Sequence, residues 1–447
     1  MATVSVGGLV SGINYDDMIT KIIAAESQPI ALMQSRQADY NKKISLYGDL
    51  SSKLAALKTA ADGLRTASSF YVKKASSSDA AVFDAVAGSS AAAGNYSITV
   101  TRLAQAHRVA SSPVAAESST VSVASGNFSF HVGAGATTTV AVDTTTTLSD
   151  LRDAINVGNG GAEASIINDG TGYRLILTSK TSGVANAVVV TENVTSLALP
   201  TGPVAGGVTL QSAQDAAFSI DTLSMTRSSN SFADAIGGVT VTLKNEGTST
   251  LSVTNDTSSI RKKVDDLISA YNAVVSLVST NSSYDTKTHK KSPLTGESTA
   301  RDVVSSLQGL IGARVAGLPE GMRVLSQIGI KTNRDGTLSV DGAILDDRIA
   351  TNLAGVSDLF NAADGVAGRV YGYVDKATNS VTGSISFRTK GLNTTVSNLA
   401  DDIARKQERL DREETALRSR FSKLEALLAQ LTAQSSSLVN IITAMDK

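Results

Sequence analysis

The feature that most constrains this chain is an apolar residue at every seventh position near its C-terminus, where Val396, Ile403, Leu410, Leu417, Leu424, Leu431, Leu438 and Met445 recur without a break. Such a repeat writes one long helix with a single apolar seam, and a seam of that kind asks for a partner helix. Leu399, Leu427 and Ile441 fill the matching second core position, but Lys406, Glu413, Arg420 and Gln434 share it. A free-standing two-stranded coil tolerates so polar a seam poorly. The dense, mixed charges between Arg405 and Glu425 read as a solvated helix surface carrying pairs one turn apart.

A partner is present at the other end. From Tyr15 to about Ser68 the pattern is helical, and Pro29 suits the first turn of a new helix, which predicts two helices meeting near Gln28. In the second, Tyr47, Leu50, Leu54, Leu57, Ala61 and Leu64 fall on one stripe. The candidate stalk-packing or assembly residues are therefore Leu50, Leu54, Leu57, Leu64, Leu410, Leu417, Leu424, Leu431 and Leu438, although core within one chain is the commoner use of such a stripe. Chain start and chain end are expected to share one helical stalk.

Between about Ala75 and Thr257 the period changes to two. Runs such as Tyr96 to Val100, Val239 to Leu243 and Leu251 to Thr254 are rich in β-branched residues and read as antiparallel strands. Asn168 to Gly172 reads as a hairpin turn, and Thr147 as the cap of a short helix carrying Leu148, Leu151 and Ile155. Phe128-Ser129 followed by Leu151 to Ile155 is echoed by Phe218-Ser219 followed by Phe232 to Ile236, which suggests a repeated unit of strand and short helix. Ala/Ser/Gly-rich stretches place boundaries near Glu117 and Ser212. After Ser258 helices return, with Val264, Leu267, Ile268, Tyr271, Val274, Val275 and Val278 on one broad face, and Asp335-Gly336 turns a small hairpin.

Composition narrows the function. A 447-residue chain with 42% hydrophobic and 18% charged residues is globular and long enough for several domains. Its formal net charge of −1 offers no basic face for a nucleic acid. Residues 76–257 hold seven Lys and Arg against fourteen Asp and Glu, so the middle is acidic. Zero cysteines exclude disulfides, thiolate nucleophiles and Cys-ligated metal. No window of about 18 apolar residues and no secretory leader pattern occurs, so no membrane insertion is expected and export would need a route without a cleaved signal.

Chemistry has little to stand on. His107, His131 and His289 form no metal-binding spacing, Gly158 to Gly161 precedes a strand and reads as a turn, and Lys331 and Gly342 stand where a calcium loop beginning there needs carboxylates. No cofactor and no enzymatic activity are expected.

Gly8-Leu9-Val10-Ser11-Gly12-Ile13-Asn14, then an amphipathic helix and Glu26-Ser27-Gln28-Pro29-Ile30, closely resembles the opening of the flagellar filament cap family, also called flagellar hook-associated protein 2; the family usually has Asp where Asn14 stands. Ala270-Tyr271-Asn272, Pro293 to Arg301, and Ile328-Gly329-Ile330 through Asp335-Gly336-Thr337-Leu338 to Asp341 are similar to its C-terminal half. Leu148 to Ser179 resembles the module shared by flagellins and hook-associated proteins.

The resemblance implies a multidomain α+β fold. Residues 1–40 and 406–447 would form a terminal coiled-coil leg, 41–75 and 258–405 a mainly helical domain with a small hairpin, 76–117 and 213–257 a β-rich domain, and 118–212 an inserted outer β-rich domain. It implies a secreted structural protein at the distal filament tip, a ring of five or six copies that retains flagellin, shelters its folding and shifts as each subunit joins. Its partners would be further copies of itself, flagellin and hook-filament junction proteins. The alternative is a tip adhesin that meets mucin or host surfaces through residues 118–212.

Overall fold

The computed structural model describes residues 14–203, 206–287 and 289–445, with side chains to Ile441. The chain divides into two compact units, residues 1–70 with 260–447 and residues 71–259. The first unit is thus assembled from both ends of the sequence.

Among the described residues the helices are α1 (Tyr15–Asp62), α2 (Leu148–Gly158), α3 (Thr257–Asn281), α4 (Ser298–Gly312), α5 (Gly342–Thr351), α6 (Leu353–Asn361), α7 (Val366–Thr378) and α8 (Ser384–Met445). The first unit adds two hairpins, Tyr284–Asp285 with Lys290–Lys291 and Ile330–Thr332 with Leu338–Val340.

Its core gathers Leu50, Leu54, Leu57 and Leu64 of α1, Val264, Leu267, Tyr271 and Val274 of α3, Val303 and Leu307 of α4, and Val370 and Val374 of α7. The broad apolar face expected after Ser258 is the face α3 buries there. The second hairpin is tied down by two neighbours on α3. The Tyr271 hydroxyl donates to the Gly336 carbonyl at 2.9 Å, while Asn272 donates to the Leu338 carbonyl at 2.8 Å and accepts the Leu338 N–H at 2.7 Å. Gly336 sits at φ +82°, a left-handed backbone conformation that favours glycine.

α1 departs from the two-helix expectation. It runs unbroken from Tyr15 to Asp62 with Pro29 inside it. A proline there removes one helical hydrogen bond and crowds the preceding turn, a local cost of about 3 kcal/mol. The offset is long-range: buried residues on both sides of the proline, Ile19, Ile30 and Tyr47, lie along one continuous helix, and α1 packs along α8.

Among the described residues the second unit is built mainly of antiparallel strands, with α2 as its one α-helix ahead of the start of α3. One pair of sheets, ordered 73–77, 247–255, 94–102, 216–220, 223–227 and 231–236, 239–243, 83–87, encloses a core in which Phe218 and Phe232 stack at 4.5 Å. The other pair, 208–211, 106–110, 173–182, 162–168 and 138–142, 126–132, 188–193, packs with α2 around Phe128, Phe130, Leu151, Ile155, Leu175 and Leu177. The Asn168 to Gly172 hairpin is present, with Ala162–Asn168 pairing Tyr173–Ser182.

Thr147 caps α2 in a reciprocal box: its hydroxyl accepts the Asp150 N–H at 3.1 Å while Asp150 accepts the Thr147 N–H at 3.0 Å. Thr147→Ala is expected to cost the second unit about 1 kcal/mol, read as a lower urea midpoint with unchanged slope. The repeated strand-and-helix echo is corrected here: Ser231–Ile236 is a strand. A spacing of four keeps Phe232 and Ile236 on one face of either element, so the pair did not discriminate.

Candidate assembly site

α1 and α8 lie antiparallel. The Tyr15 ring stacks on Phe421 at 4.6 Å, Arg418 reaches Asp16 at 2.6 Å, and Gln37 donates to the Val396 carbonyl at 3.4 Å. The inward stripe of α1, with Tyr15, Ile19, Ile30, Tyr47, Leu50, Leu54 and Leu57 buried and Ile23, Ser27, Met33, Gln37, Tyr40 and Ile44 half-buried between them, follows steps of three and four along the helix. At Pro29 the pairing opens into a hollow of about 320 Å³ lined by Glu26, Pro29, Ile30, Lys406, Arg409 and Leu410.

The predicted residues divide along this pair. Leu50, Leu54, Leu57 and Leu64 are fully buried in the core of the first unit. On α8, Val396, Leu399 and Ile403 are half-buried, Leu410 is 5% exposed and Leu417 is half-buried. Beyond Phe421 the same stripe is bare: Leu424 is 41% exposed, Leu431 52% and Leu438 59%, with Leu427, Val439 and Ile441 likewise open. From Ser422 to Met445 α8 continues for about 36 Å at 1.5 Å per residue past Tyr15, the first residue of α1. Of the polar seam positions, Lys406, Arg420 and Gln434 are exposed and Glu413 half-buried. Gly8 to Ile13 and the Met445 side chain lie outside the described residues.

Sequence reasoning did not find the ionic latch at the base of the pair. Glu297, the N-cap residue of α4, is 6% exposed and holds three partners from α1 and α8. Its carboxylate receives Lys43 Nζ at 2.9 Å, the Tyr47 hydroxyl at 3.1 Å, and Arg388 through Nε at 2.8 Å and Nη2 at 2.9 Å. Burial alone would raise the carboxyl pKa, but hydrogen bonds from Arg388 and Lys43 and their charges outweigh it and hold the group at about 2. Burial, reinforced by the adjacent carboxylate, pushes the Tyr47 phenol up to about 12. The available signal was Glu297 inside the Pro293 to Arg301 motif, and its partners lie too far away in sequence for any local pattern to select them.

The histidines sit apart from one another. His107 is buried, its Nδ1 accepts the Val188 N–H at 3.0 Å, and burial lowers its pKa; His131 faces the Gly133 carbonyl and His289 the Tyr284 hydroxyl. Among the described residues no cluster of three or more His, Cys, Asp or Glu could hold a metal ion, and no helix is long and apolar enough to cross a membrane.

Comparison with known proteins fits this architecture. The family model described as flagellar hook-associated protein 2 N-terminus matches residues 11–107, that described as flagellar hook-associated protein 2 C-terminus matches residues 213–433, and the flagellin hook IN motif matches residues 127–181 between them. The B-type flagellar hook-associated protein 2 of Pseudomonas aeruginosa is 27% identical over 100% of this chain and 98% of its own length. The flagellar hook-associated protein 2 of Escherichia coli K12 is 28% identical over 98% of each. Among solved structures, the D1-D2-D3 domains of the flagellar cap protein FliD from Escherichia coli match with a TM-score of 0.63 and 28% identity, over 78% of this chain and 99% of that one. With the N-terminal and C-terminal family models matching in order, and relatives aligned over at least 98% of both chains, the chain belongs to the flagellar hook-associated protein 2 family.

Proposed function

We propose that this protein is the structural cap at the distal end of the bacterial flagellar filament, where it retains exported flagellin and promotes its folding and polymerisation. The observation that carries this function is the likeness, over 78% of this chain and 99% of that one, to the Escherichia coli flagellar cap protein. The geometry supplies a means: a helical unit closed by both chain ends, from which α8 carries a bare apolar stripe outward for docking.

Several copies form a ring, five or six by analogy with the family, and flagellin and the hook-filament junction proteins are its further partners. The chain reaches the tip by secretion through the flagellum itself. Its work is mechanical rather than catalytic, and needs no cofactor. In this scheme residues 1–40 and 406–447 act as the leg, 41–75 and 258–405 as the helical domain, and the two β-rich portions, 76–117 with 213–257 and 118–212, as the outer plate, with strand 106–110 of the former paired into the sheet of the latter. Nothing favours the adhesin alternative.

The test is the state of flagellin in the medium of a strain lacking the gene. Abundant monomer and short or missing filaments, reversed when the gene is restored, are expected. Filaments of normal length without the gene would overturn the cap assignment.

A further inference from the structure

A second feature of the first unit is electrostatic. Arg36, Lys42 and Lys43 of α1 converge with Lys291 of the first hairpin on a hollow of about 480 Å³. Tyr40 contributes to its wall, and Asp39 is the carboxylate that lines it. Of the four cations Lys43 is held by Glu297 at 2.9 Å, whereas among the described residues Arg36, Lys42 and Lys291 have no carboxylate within 4.0 Å. The same hairpin segment also carries Lys287 and Lys290, with Asp285 as its acidic residue. An exposed cluster of like charges repels itself and is relieved by anions brought from outside.

The two units carry opposite charge. Residues 71–259 hold nine Lys and Arg against fourteen Asp and Glu, net −5, and the remaining residues hold 31 against 27, net +4. A chain whose overall charge is only −1 is thus strongly polarised. Copies arranged in a ring meet by unlike surfaces, since a rotational, head-to-tail contact brings one patch against a different one.

We propose that the Arg36–Lys42–Lys291 hollow is a docking site for acidic side chains of the second unit, residues 71–259, of a neighbouring copy. This rests on the ring proposed above. The contact is salt-sensitive, because exposed charges act over about 8 Å at 0.15 M salt and only about 3 Å at 1 M. It is individually weak, as pairs at a rim are, which suits a ring that must shift as subunits join.

The test uses the full chain, mixed from unlabelled and 15N-labelled preparations, with sedimentation velocity across a salt series and zero-length carbodiimide cross-linking read by mass spectrometry. Expected are oligomers that weaken as salt rises, heavy-to-light links from Lys42 or Lys291 to Asp or Glu within 71–259, and association lowered roughly 30-fold by R36E/K42E/K291E. The neutral R36Q/K42Q/K291Q should fall between the two, with all variants melting as the wild type does. Wild-type oligomers matched by both variants, or links confined to one copy or to carboxylates of the first unit, overturn this docking site and leave the ring standing. A wild type that stays monomeric at every concentration and salt overturns the ring and the site with it.

Discussion

Replacing Leu424, Leu427, Leu431 and Leu438 together by Gln is expected to abolish filament growth while leaving the first unit as stable as before. These four side chains are 41% to 59% exposed, so they contribute little to the fold that carries them. Covering what remains exposed is worth about 1 kcal/mol each, or about 4 kcal/mol per copy, roughly a thousandfold in an association constant. Gln keeps the helix propensity close to that of Leu, so α8 itself survives. The expected readout is monomeric flagellin in the medium at the level of the strain lacking the gene, with an unchanged urea transition for the purified protein. Leu410→Gln is the contrasting case: at 5% exposure on the paired side of α8, it lowers stability as well. Normal filaments from the quadruple variant would remove the bare stripe as the docking surface.

Glu297→Gln is expected to destabilise the first unit by about 3 kcal/mol at pH 7. The sign follows from the direction of the shift. The carboxyl is held at about 2 in the folded chain against an ordinary 4.5, so its contribution is fully present above pH 4.5 and is lost as pH falls toward 2. Urea unfolding at pH 7, 4 and 2.5 should therefore show wild type and variant converging as the solution becomes more acid. A gap that persists unchanged at pH 2.5 would mean that packing rather than charge dominates the latch. Tyr47→Phe, which removes only the hydroxyl 3.1 Å from the carboxylate, should cost about 1 kcal/mol.

What could be read from the sequence was whatever short-range physics decides. The Thr147 cap and the turns at Asp169-Gly170 and Asp335-Gly336 follow from the donors, acceptors and backbone freedom of adjacent residues. The seam from Val396 to Leu438 was legible as periodicity, but not the place where it stops being covered, because exposure depends on where α1 begins opposite it. Pro29 misled for the complementary reason: its penalty is local, while its compensation is the burial of Ile19, Ile30 and Tyr47 along one helix packed on α8. The Glu297 latch and the basic hollow each join residues from widely separated elements, 254 positions apart for Lys43 and Glu297, and no window along the chain contains them.

The split first unit also dictates an order of events. The second unit closes on itself early: its outermost strands pair Lys73 with Asn255, and every strand it needs has been delivered by Ser259. α1 must wait far longer, since Arg418, which meets Asp16, lies 402 residues downstream. On any route that delivers the chain N-terminus first, the inserted unit folds while the apolar face of α1 is still uncovered. The same last helix both completes the core of the first unit and presents the bare stripe, so a copy that is only partly delivered lacks that stripe. Completion of the first unit and display of the bare stripe therefore arrive together.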